Sequence, residues 1–489
     1  MKTGRCKEED YMENSKEIIR ELIERKKELF IKVSDEIWAN PELGFKEYQS
    51  SKILMEALEK EGFSVQKGIA GIPTAFKAVW GTGSPVIGFL GEYDALASMS
   101  QMAGISEKVP VKDGAPGHGC GHNLLGAGSL AAAVAAKDFL VENGKEGTIV
   151  YFGCPAEEAG CGKTFMAREG VFDCLDVALT WHPNTCNAIW SASSLSEVDV
   201  LFKFKGRTAH AAACPHLGRS ALDAAELMNI GVNFLREHVI DQARIHYAFL
   251  NTGGTAPNVV QDSATLYYYI RAPKKSQVDE IFPRVIKVAQ GAAMMTETTV
   301  SIEIESGISN FIPNNTLSEV MGECNVEMGG ISFSEEAKQF AEEIYETISA
   351  EDKAVIAETF SAVTGIEDAG ELANVKLLGE AFPYKENNYC MQGSTDVGDV
   401  SYVVPTAQMV AATAVQGTPG HSWQQTSQSC SPIAHEGLIY AGKVMAYTAA
   451  KLIENPELLK KAKEEHKKAV QGGYVCPIPA EVKPVLDKN

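Results

Sequence analysis

The sequence lacks the features that mark a secreted, membrane-spanning or nucleic-acid-binding protein. Residues 1–17 are polar and acidic, without the apolar core of a secretory signal. The longest apolar run, residues 124–136, is too short to span a bilayer and ends at Lys137. The net charge of −20 comes without any cluster of Lys and Arg that could hold a phosphate backbone. We therefore predict a soluble, cytoplasmic protein with no membrane and no nucleic-acid partner.

A disulfide framework and a structural zinc site are also missing from the sequence. The eleven cysteines are odd in number and scattered over 489 residues, as in proteins of a reducing compartment. Cys154, Cys161, Cys174 and Cys186 lack the close C-x-x-C spacing of structural zinc ligands. We expect most of these four thiols to be buried in the core.

Helical and strand patterns alternate over the first 190 residues, which is typical of an α/β sheet. One helix is predicted over 15–39, and the strand patterns 74–80 and 85–93 are separated by a hairpin-type turn sequence at 81–84. The order of patterns between 194 and 308 is βαββαβ, which is the ferredoxin-like arrangement. The predicted organisation is a catalytic α/β domain (1–191 and 311–489) interrupted by a small α+β domain (192–310).

A glycine-rich segment, GHGCGHN at 117–123, carries His118, Cys120 and His122. Glycine allows the backbone to fold tightly around an ion, and thiolate and imidazole suit zinc and similar divalent metals. Taken alone, the segment is either a metal-binding loop or a glycine-rich turn with a buried thiol.

Three other segments offer ligands. Glu157 and Glu158 follow the strand pattern 148–153, His182 follows 176–181, and His421 follows another apolar run. Each alone could be an ordinary loop residue. Together with Cys120 and His122 they supply the ligands of a two-metal hydrolase and one spare carboxylate to move protons. Asp94, after the strand pattern 85–93, is either a carboxylate that orients a ligand histidine or a turn residue.

The predicted small domain has its own polar candidates. Arg271 ends a strand pattern and could grip a substrate carboxylate, while His210 could donate to a developing oxyanion. Asn258 lies thirteen residues before Arg271, and we expect the two on neighbouring strands. Each of the three could equally be a surface or turn residue.

The motifs GHGCGHN, PAEE, WHP, GRTAHAA, APNVV and GHS occur in this order between residues 117 and 422, within a resemblance that covers about residues 30–450. In this the chain resembles the aminoacylase-type co-catalytic metallopeptidases, in the branch of N-acyl amino acid amidohydrolases. The resemblance implies a catalytic α/β domain with two divalent ions, Mn or Zn, and an inserted lid domain that makes a dimer interface.

By position in these motifs, the resemblance assigns a role to each candidate. Cys120 would bridge the two metals and Glu157 would be the general base, while His210 would reach the active site of the partner subunit. Asn258 and Arg271 would hold the substrate carboxylate, and Ser394 and Thr395 belong to a loop, 394–396, that would line the pocket. The remaining metal ligands would be His122, Glu158, His182 and His421.

The chain departs from the family at two positions. Asn123 stands where many amidohydrolases have Asp, and Glu92 stands where many other members have His, so we expect the first metal to take His122 instead. In the motifs GCGHN and GSTDVGDVS the chain is most similar to hydrolases of p-aminobenzoyl-glutamate. This resemblance implies that substrate, with dipeptides or N-acetyl amino acids as alternatives. A homodimer is expected through the lid. A heterodimer with a homologous subunit, without which the chain would be inactive, is the other interpretation.

Overall fold

The protein is described here by a computed structural model that covers residues 5–367 and 370–486. The helices are α1 (Arg5–Glu24), α2 (Lys27–Trp38), α3 (Tyr48–Lys60), α4 (His122–Glu142), α5 (Gly162–Arg168), α6 (Ala221–Leu235), α7 (Lys275–Met295), α8 (Asn315–Met328), α9 (Glu335–Tyr345), α10 (Ala350–Ala354), α11 (Ile356–Thr364), α12 (Val397–Val403), α13 (Trp423–Gln428), α14 (Pro432–Glu454) and α15 (Pro456–Ala469). The strands are β1 (Ser64–Lys67), β2 (Phe76–Thr82), β3 (Val86–Glu92), β4 (Gly147–Cys154), β5 (Val177–Asn184), β6 (Ala188–Ile189), β7 (Ser193–Ser194), β8 (Ser196–Lys205), β9 (Arg244–Asn251), β10 (Ser263–Ala272), β11 (Thr299–Ile308), β12 (Cys390–Met391) and β13 (Thr406–Ala412).

The larger sheet has seven strands in the order β1-β2-β4-β3-β5-β13-β6. Strands β4, β3, β5 and β13 run parallel, and the flanking strands β2 and β6 pair antiparallel with them. The carboxyl ends of the four parallel strands therefore open at one edge, where ligands gather in open α/β sheets. Four candidate residues lie on or after these strands: Asp94, Glu157, His182 and His421. The strand topology therefore brings them to the same edge of the sheet.

Both faces of this sheet are covered. Side chains alternate along a strand, and in β4 Ile149 and Tyr151 pack in the core beneath α4 and α14, while Val150 and Phe152 pack in a second core with α5 and α12. All eight positions of β4 are buried. This is the burial expected of a parallel sheet with helices on each side, and it confirms the predicted α/β class.

Helix α4 is the central helix of the catalytic domain. Among the described residues it is the one helix long and apolar enough to cross a membrane, but 89% of its apolar window is buried inside the fold. It packs against α14 and the sheet, so its apolar side chains form part of the hydrophobic core.

The smaller sheet has the order β11-β8-β10-β9, with every pair antiparallel. Helices α6 and α7 cover one face of it and share its core. The chain order βαββαβ with this strand order confirms the predicted ferredoxin-like unit. Its strands begin at Ser196 and end at Ile308, inside the predicted range 192–310; we refer to this unit as the lid.

The predicted hairpin of the first two long strand patterns is wrong. Strand β4 lies between β2 and β3, antiparallel to the first and parallel to the second. Because β4 is buried throughout, it needs a hydrogen-bonding neighbour on each side, and this long-range pairing overrides the local turn signal at 81–84. The predicted N-terminal helix is two helices, α1 and α2, broken at Arg25 and Lys26.

The contact between α4 and the sheet depends on the small size of Gly128. A Cβ at Gly128 would lie 2.7 Å from the buried Trp181 ring, which precedes His182. We expect Gly128→Ala to lower the free energy of unfolding by about 1–3 kcal/mol, measured by denaturant unfolding, because the ring must shift. The matched control is Gly291→Ala in α7, where a Cβ meets nothing within 4 Å, and we expect a gain of about 0.5–1 kcal/mol. An unchanged stability of Gly128→Ala would contradict this packing.

Candidate metal centre and active site

The glycine-rich segment forms a tight turn into α4. Gly121 has φ 76°, and a Cβ there would lie 3.0 Å from Pro183 Cγ, so glycine is required on both counts. Helix α4 begins at His122, whose side chain is fully buried. The turn brings the Cys120 Sγ atom to 3.5 Å from His182 Nε2.

Five side chains form two overlapping groups of donor atoms. The donors of Cys120, His122 and His182 lie within 4.8 Å of one another, and those of Cys120, Glu158 and His421 do so as well. The Cys120 sulfur belongs to both groups. Thiolate, imidazole and carboxylate are the ligand types of zinc and similar divalent ions, so the arrangement suits two neighbouring ions that share one sulfur.

Asp94 fixes two of these ligands at once. Its Oδ1 atom accepts a hydrogen bond from His122 Nδ1 at 2.8 Å, and its Oδ2 atom accepts one from the Glu158 backbone N–H at 2.9 Å. The first bond leaves His122 Nε2 directed to a metal, as carboxylate partners of ligand histidines do. Asp94 is thus the orienting carboxylate that the sequence suggested.

The other two histidines are also oriented. His182 Nδ1 donates to the Pro183 carbonyl oxygen at 2.8 Å, which leaves Nε2 as the ligand atom. His421 has φ 54°, unusual for a non-glycine residue, and its backbone N–H donates to the Gly119 carbonyl oxygen at 3.1 Å. Its Nε2 atom lies 3.5 Å from Glu158 Oε1. Both rings are therefore held toward the same space.

Two buried polar atoms at the centre make no hydrogen bond. They are His122 Nε2 and Glu158 Oε1, which lie 4.0 Å apart. Unpaired buried polar atoms are rare because each costs about 1–3 kcal/mol. A divalent ion would coordinate both atoms, so the residues present fit the metal that the ligand set implies.

The two adjacent glutamates have opposite electrostatic environments. Burial, with the nearby carboxylates of Glu92 and Glu158, raises the pKa of Glu157 well above its usual range. Burial acts in the same direction on Glu158, but the nearby rings of His421 and His122 outweigh it and lower its pKa. Burial and the neighbouring charges therefore move the two pKa values in opposite directions.

A buried lysine that the sequence analysis missed completes the charge balance. Lys163 Nζ lies 2.6 Å from Glu92 Oε1 and 2.5 Å from Asp396 Oδ1, and all three side chains are buried. Glu92 Oε2 in turn lies 3.3 Å from His122 Nε2. Lys163 neutralises the carboxylate that stands where many family members have histidine. The sequence does hold one indication of this lysine. It is the single charged residue in the segment GKTFM, which begins four residues after Glu158.

The loop of Ser394 and Thr395 lies where the lid joins the catalytic domain. Its β12 pairs with β7, and the Leu195 backbone N–H donates to the Gly393 carbonyl oxygen at 2.9 Å. The Ser394 hydroxyl is buried without a hydrogen-bond partner, and Thr395 Oγ1 accepts from the Val397 backbone N–H. Asp396, the next residue, ties this loop to Lys163.

His118 lies outside both donor groups. It is buried, its Nε2 lies 3.3 Å from the Ile37 carbonyl oxygen, and burial lowers its pKa to about 4. Of the four cysteines expected in the core, Cys154, Cys161 and Cys186 are buried and Cys174 is exposed.

His210 and Asn258 lie together at the far end of the lid sheet. His210 forms an isolated β-bridge with Val259 and is exposed. Its Nδ1 accepts from the backbone N–H groups of Ala212 and Ala213, so the neutral ring carries its proton on Nε2. Asn258 lies in a turn before β10, not on a strand.

Arg271 lies at the opposite end of the lid, next to the catalytic domain. It is opposite Glu197 in the pairing of β10 with β8, and the two side chains form an ion pair at 3.0 Å. Strand β10 rises about 3.3 Å per residue, so Arg271 is about 26 Å from Ser263 at the start of the strand, and Asn258 precedes Ser263 in the chain. The two residues therefore lie toward opposite ends of β10, and the expectation that they lie on neighbouring strands is wrong.

Fold and site together define a metal-dependent hydrolase of amide bonds. The family model of peptidase family M20/M25/M40 matches residues 88–414, and the chain belongs to this family. It is 44% identical to one subunit of the p-aminobenzoyl-glutamate hydrolase of Escherichia coli, over 95% of this chain and 98% of that protein. It is 29% identical to the mouse Xaa-Arg dipeptidase over 90% of this chain and 89% of that protein.

A solved structure shares the fold. A dinuclear metal-binding peptidase of Bacillus subtilis from the M20 family superposes with a TM-score of 0.57 at 16% identity, over 88% of this chain and 99% of that one. The predicted fold, enzyme class and use of divalent metal are thereby confirmed.

The Lys163 network generates a stability prediction. We expect Lys163→Met to lower the free energy of unfolding by about 3–5 kcal/mol, because Glu92 and Asp396 would be left buried without a counter-charge. The control is Lys338→Met, which breaks the exposed ion pair with Glu335 and should cost less than about 1 kcal/mol. Equal losses for the two variants in urea unfolding would show that the buried network does not have this role.

Proposed function

We propose that the chain hydrolyses p-aminobenzoyl-glutamate to p-aminobenzoate and glutamate. The observation that carries this proposal is the pair of donor groups joined at Cys120 and flanked by Glu157. The substrate is favoured by the 44% identity to the subunit of the Escherichia coli hydrolase, which extends over nearly the whole of both chains.

We further propose two divalent ions per chain, Mn or Zn. His122 and His182 would hold one ion and Glu158 and His421 the other, with Cys120 as the shared ligand. Bound there, the ions would polarise the scissile carbonyl and make a water more acidic.

Glu157 is the proposed proton carrier. One of its carboxylate oxygens lies within 4.8 Å of donor atoms of His122 and Glu92, beside the first donor group. It would accept a proton from the attacking water as the carbon–oxygen bond forms, then give it to the amide nitrogen as the carbon–nitrogen bond breaks. The products are a carboxylate and a free amine.

The lid residues support a shared active site in a homodimer. His210 and Asn258 lie beyond the start of β10 and Arg271 near its end, so they occupy opposite ends of the lid sheet. Across a two-fold interface, His210 and Asn258 of one chain would complete the site of the other, with His210 Nε2–H donating to the developing oxyanion. Arg271 would act from the substrate's own chain, on release from Glu197.

The lid also has a surface suited to such an interface. Strand β9 is an edge strand on which Tyr247, Phe249 and Leu250 are exposed, and Phe234 of α6 is 74% exposed. Uncovered strand edges with large apolar side chains are typical pairing surfaces. We propose that this face forms the homodimer; because the Escherichia coli relative is one subunit of its hydrolase, a homologous partner chain is the alternative.

Two further parts of the proposal depend on other observations. Because the mouse relative is an Xaa-Arg dipeptidase, dipeptides are the second candidate class of substrate. A cytoplasmic location is supported by the ten described cysteines, all of which are unpaired.

The role of Glu157 is tested by Glu157→Gln. We expect turnover of p-aminobenzoyl-glutamate to fall by about 10²–10⁴-fold with the metal content unchanged, because the amide cannot carry the proton. Product release is followed by chromatography and metal content by elemental analysis. The control is the surface variant Glu169→Gln, whose side chain is half exposed and away from the donor groups. Full turnover of Glu157→Gln would rule out this role.

The shared site is tested by mixing two inactive variants. In a dimer of His210→Ala with Glu157→Gln, one of the two sites keeps both its own Glu157 and the partner's His210. Unfolding and refolding the variants together should therefore restore about a quarter of wild-type activity, since half of the dimers are mixed. Mixtures that stay inactive, from variants shown to be dimeric, would place His210 outside the partner's site.

A further inference from the structure

A cavity of about 270 Å³ lies beside the metal centre, between the catalytic domain and the base of the lid. Glu158, one of the metal ligands, forms part of its wall, so it opens directly next to the site of hydrolysis. The mechanism above uses none of its other lining residues.

The walls of the cavity are largely apolar. They come from Leu43, Phe45, Leu96 and Phe165 of the catalytic domain and from Val485 of the C-terminal tail. Phe45 has φ 62°, a conformation that costs energy in a non-glycine residue and persists where the surroundings hold it. An apolar cavity of about 150 Å³ is enough to bind benzene, so this one has room for a substituted benzene ring.

One carboxylate of the lid borders this apolar space. Glu305 lines the cavity together with Ser306. In the pairing of β11 with β8, Ile304 is opposite Val200 and Ser306 is opposite Asp199, so Glu305 is the extra residue of a β-bulge. Bulges next to active sites turn a side chain out of the regular alternation of the strand.

We propose that this cavity is the acyl subsite and that Glu305 selects an aromatic acyl group with an amino substituent on its ring. The inference depends on the proposed function and extends it to the residues that set acyl specificity. When the scissile carbonyl of the acyl group lies beside Glu158, the aromatic ring attached to it lies between the apolar walls of the cavity. Burial of this ring stabilises binding. An amino group on the far side of the ring then donates a hydrogen bond to the Glu305 carboxylate.

The alternative acyl groups fit this cavity less well. An N-acetyl group leaves most of the apolar volume unfilled, and an unsubstituted benzoyl group fills it but offers no donor to Glu305. The structure therefore assigns two separate contributions to specificity: the walls favour an aromatic ring, and Glu305 favours an amino substituent.

The test compares hydrolysis of p-aminobenzoyl-glutamate, benzoyl-glutamate and N-acetyl-glutamate by the full chain. The quantity measured is the ratio of kcat/KM between the first two substrates. We expect the ratio to be about tenfold or more in the wild type and to fall toward one in Glu305→Leu, since the hydrogen bond to a charged acceptor is lost. Glu305→Gln, which keeps an acceptor oxygen, should retain part of the preference.

Two more variants make the test specific. Glu303→Leu changes an exposed carboxylate two residues away on β11, outside the cavity, and should leave the ratio as in the wild type. Val485→Trp fills the cavity from the part of its wall formed by the tail, and should lower kcat/KM for both aromatic substrates relative to N-acetyl-glutamate.

The outcomes separate the subsite from the proposed function. Cleavage of p-aminobenzoyl-glutamate with the same ratio in Glu305→Leu and in the wild type would overturn the subsite and leave the function standing. Cleavage of N-acetyl-glutamate with neither aromatic substrate turned over would overturn both. A ratio that collapses in Glu305→Leu and not in Glu303→Leu would support the assignment.

Discussion

The two hydrogen bonds of Asp94 are the interaction on which the centre depends. One carboxylate orients the ring of His122 and also holds the backbone at Glu158, which come from different parts of the chain. Since His122 opens α4 and Glu158 follows β4, the same residue fixes the position of the central helix relative to the sheet edge. Ligands preset in this way need little rearrangement when an ion binds, and an ion between them would coordinate their unpaired buried atoms.

Charge balance is the second constraint, and it connects the centre to the lid. Glu92 beside His122 would be an isolated buried carboxylate without Lys163, and Lys163 also binds Asp396. Asp396 follows the Ser394 loop, which is tied to Leu195 where the lid begins. The lysine therefore links the metal centre to the loop at the domain junction.

Sequence patterns indicated which side chains would come together because most of these residues follow a strand or begin a helix, and the sheet topology brings these positions to one edge. They predicted the ferredoxin-like lid for the same reason, since its element order is local. They failed where distant pairing decides the outcome: β4 separates the two strands of the expected hairpin, and the partner of Lys163 is 233 residues away at Asp396. The separation of Asn258 from Arg271 was equally hidden, because thirteen residues along the chain do not reveal that a whole strand lies between them.

The central claim, that one sulfur joins two ion sites, is tested most directly by counting bound ions. Wild type, His182→Ala and Cys120→Ala would be loaded with Mn²⁺ or Zn²⁺, passed through a desalting column and measured by elemental analysis. The account predicts about two ions per wild-type chain, about one in His182→Ala, and fewer than one in Cys120→Ala, because the shared ligand supports both sites. A Cys120→Ala variant that keeps two ions as tightly as the wild type would contradict it.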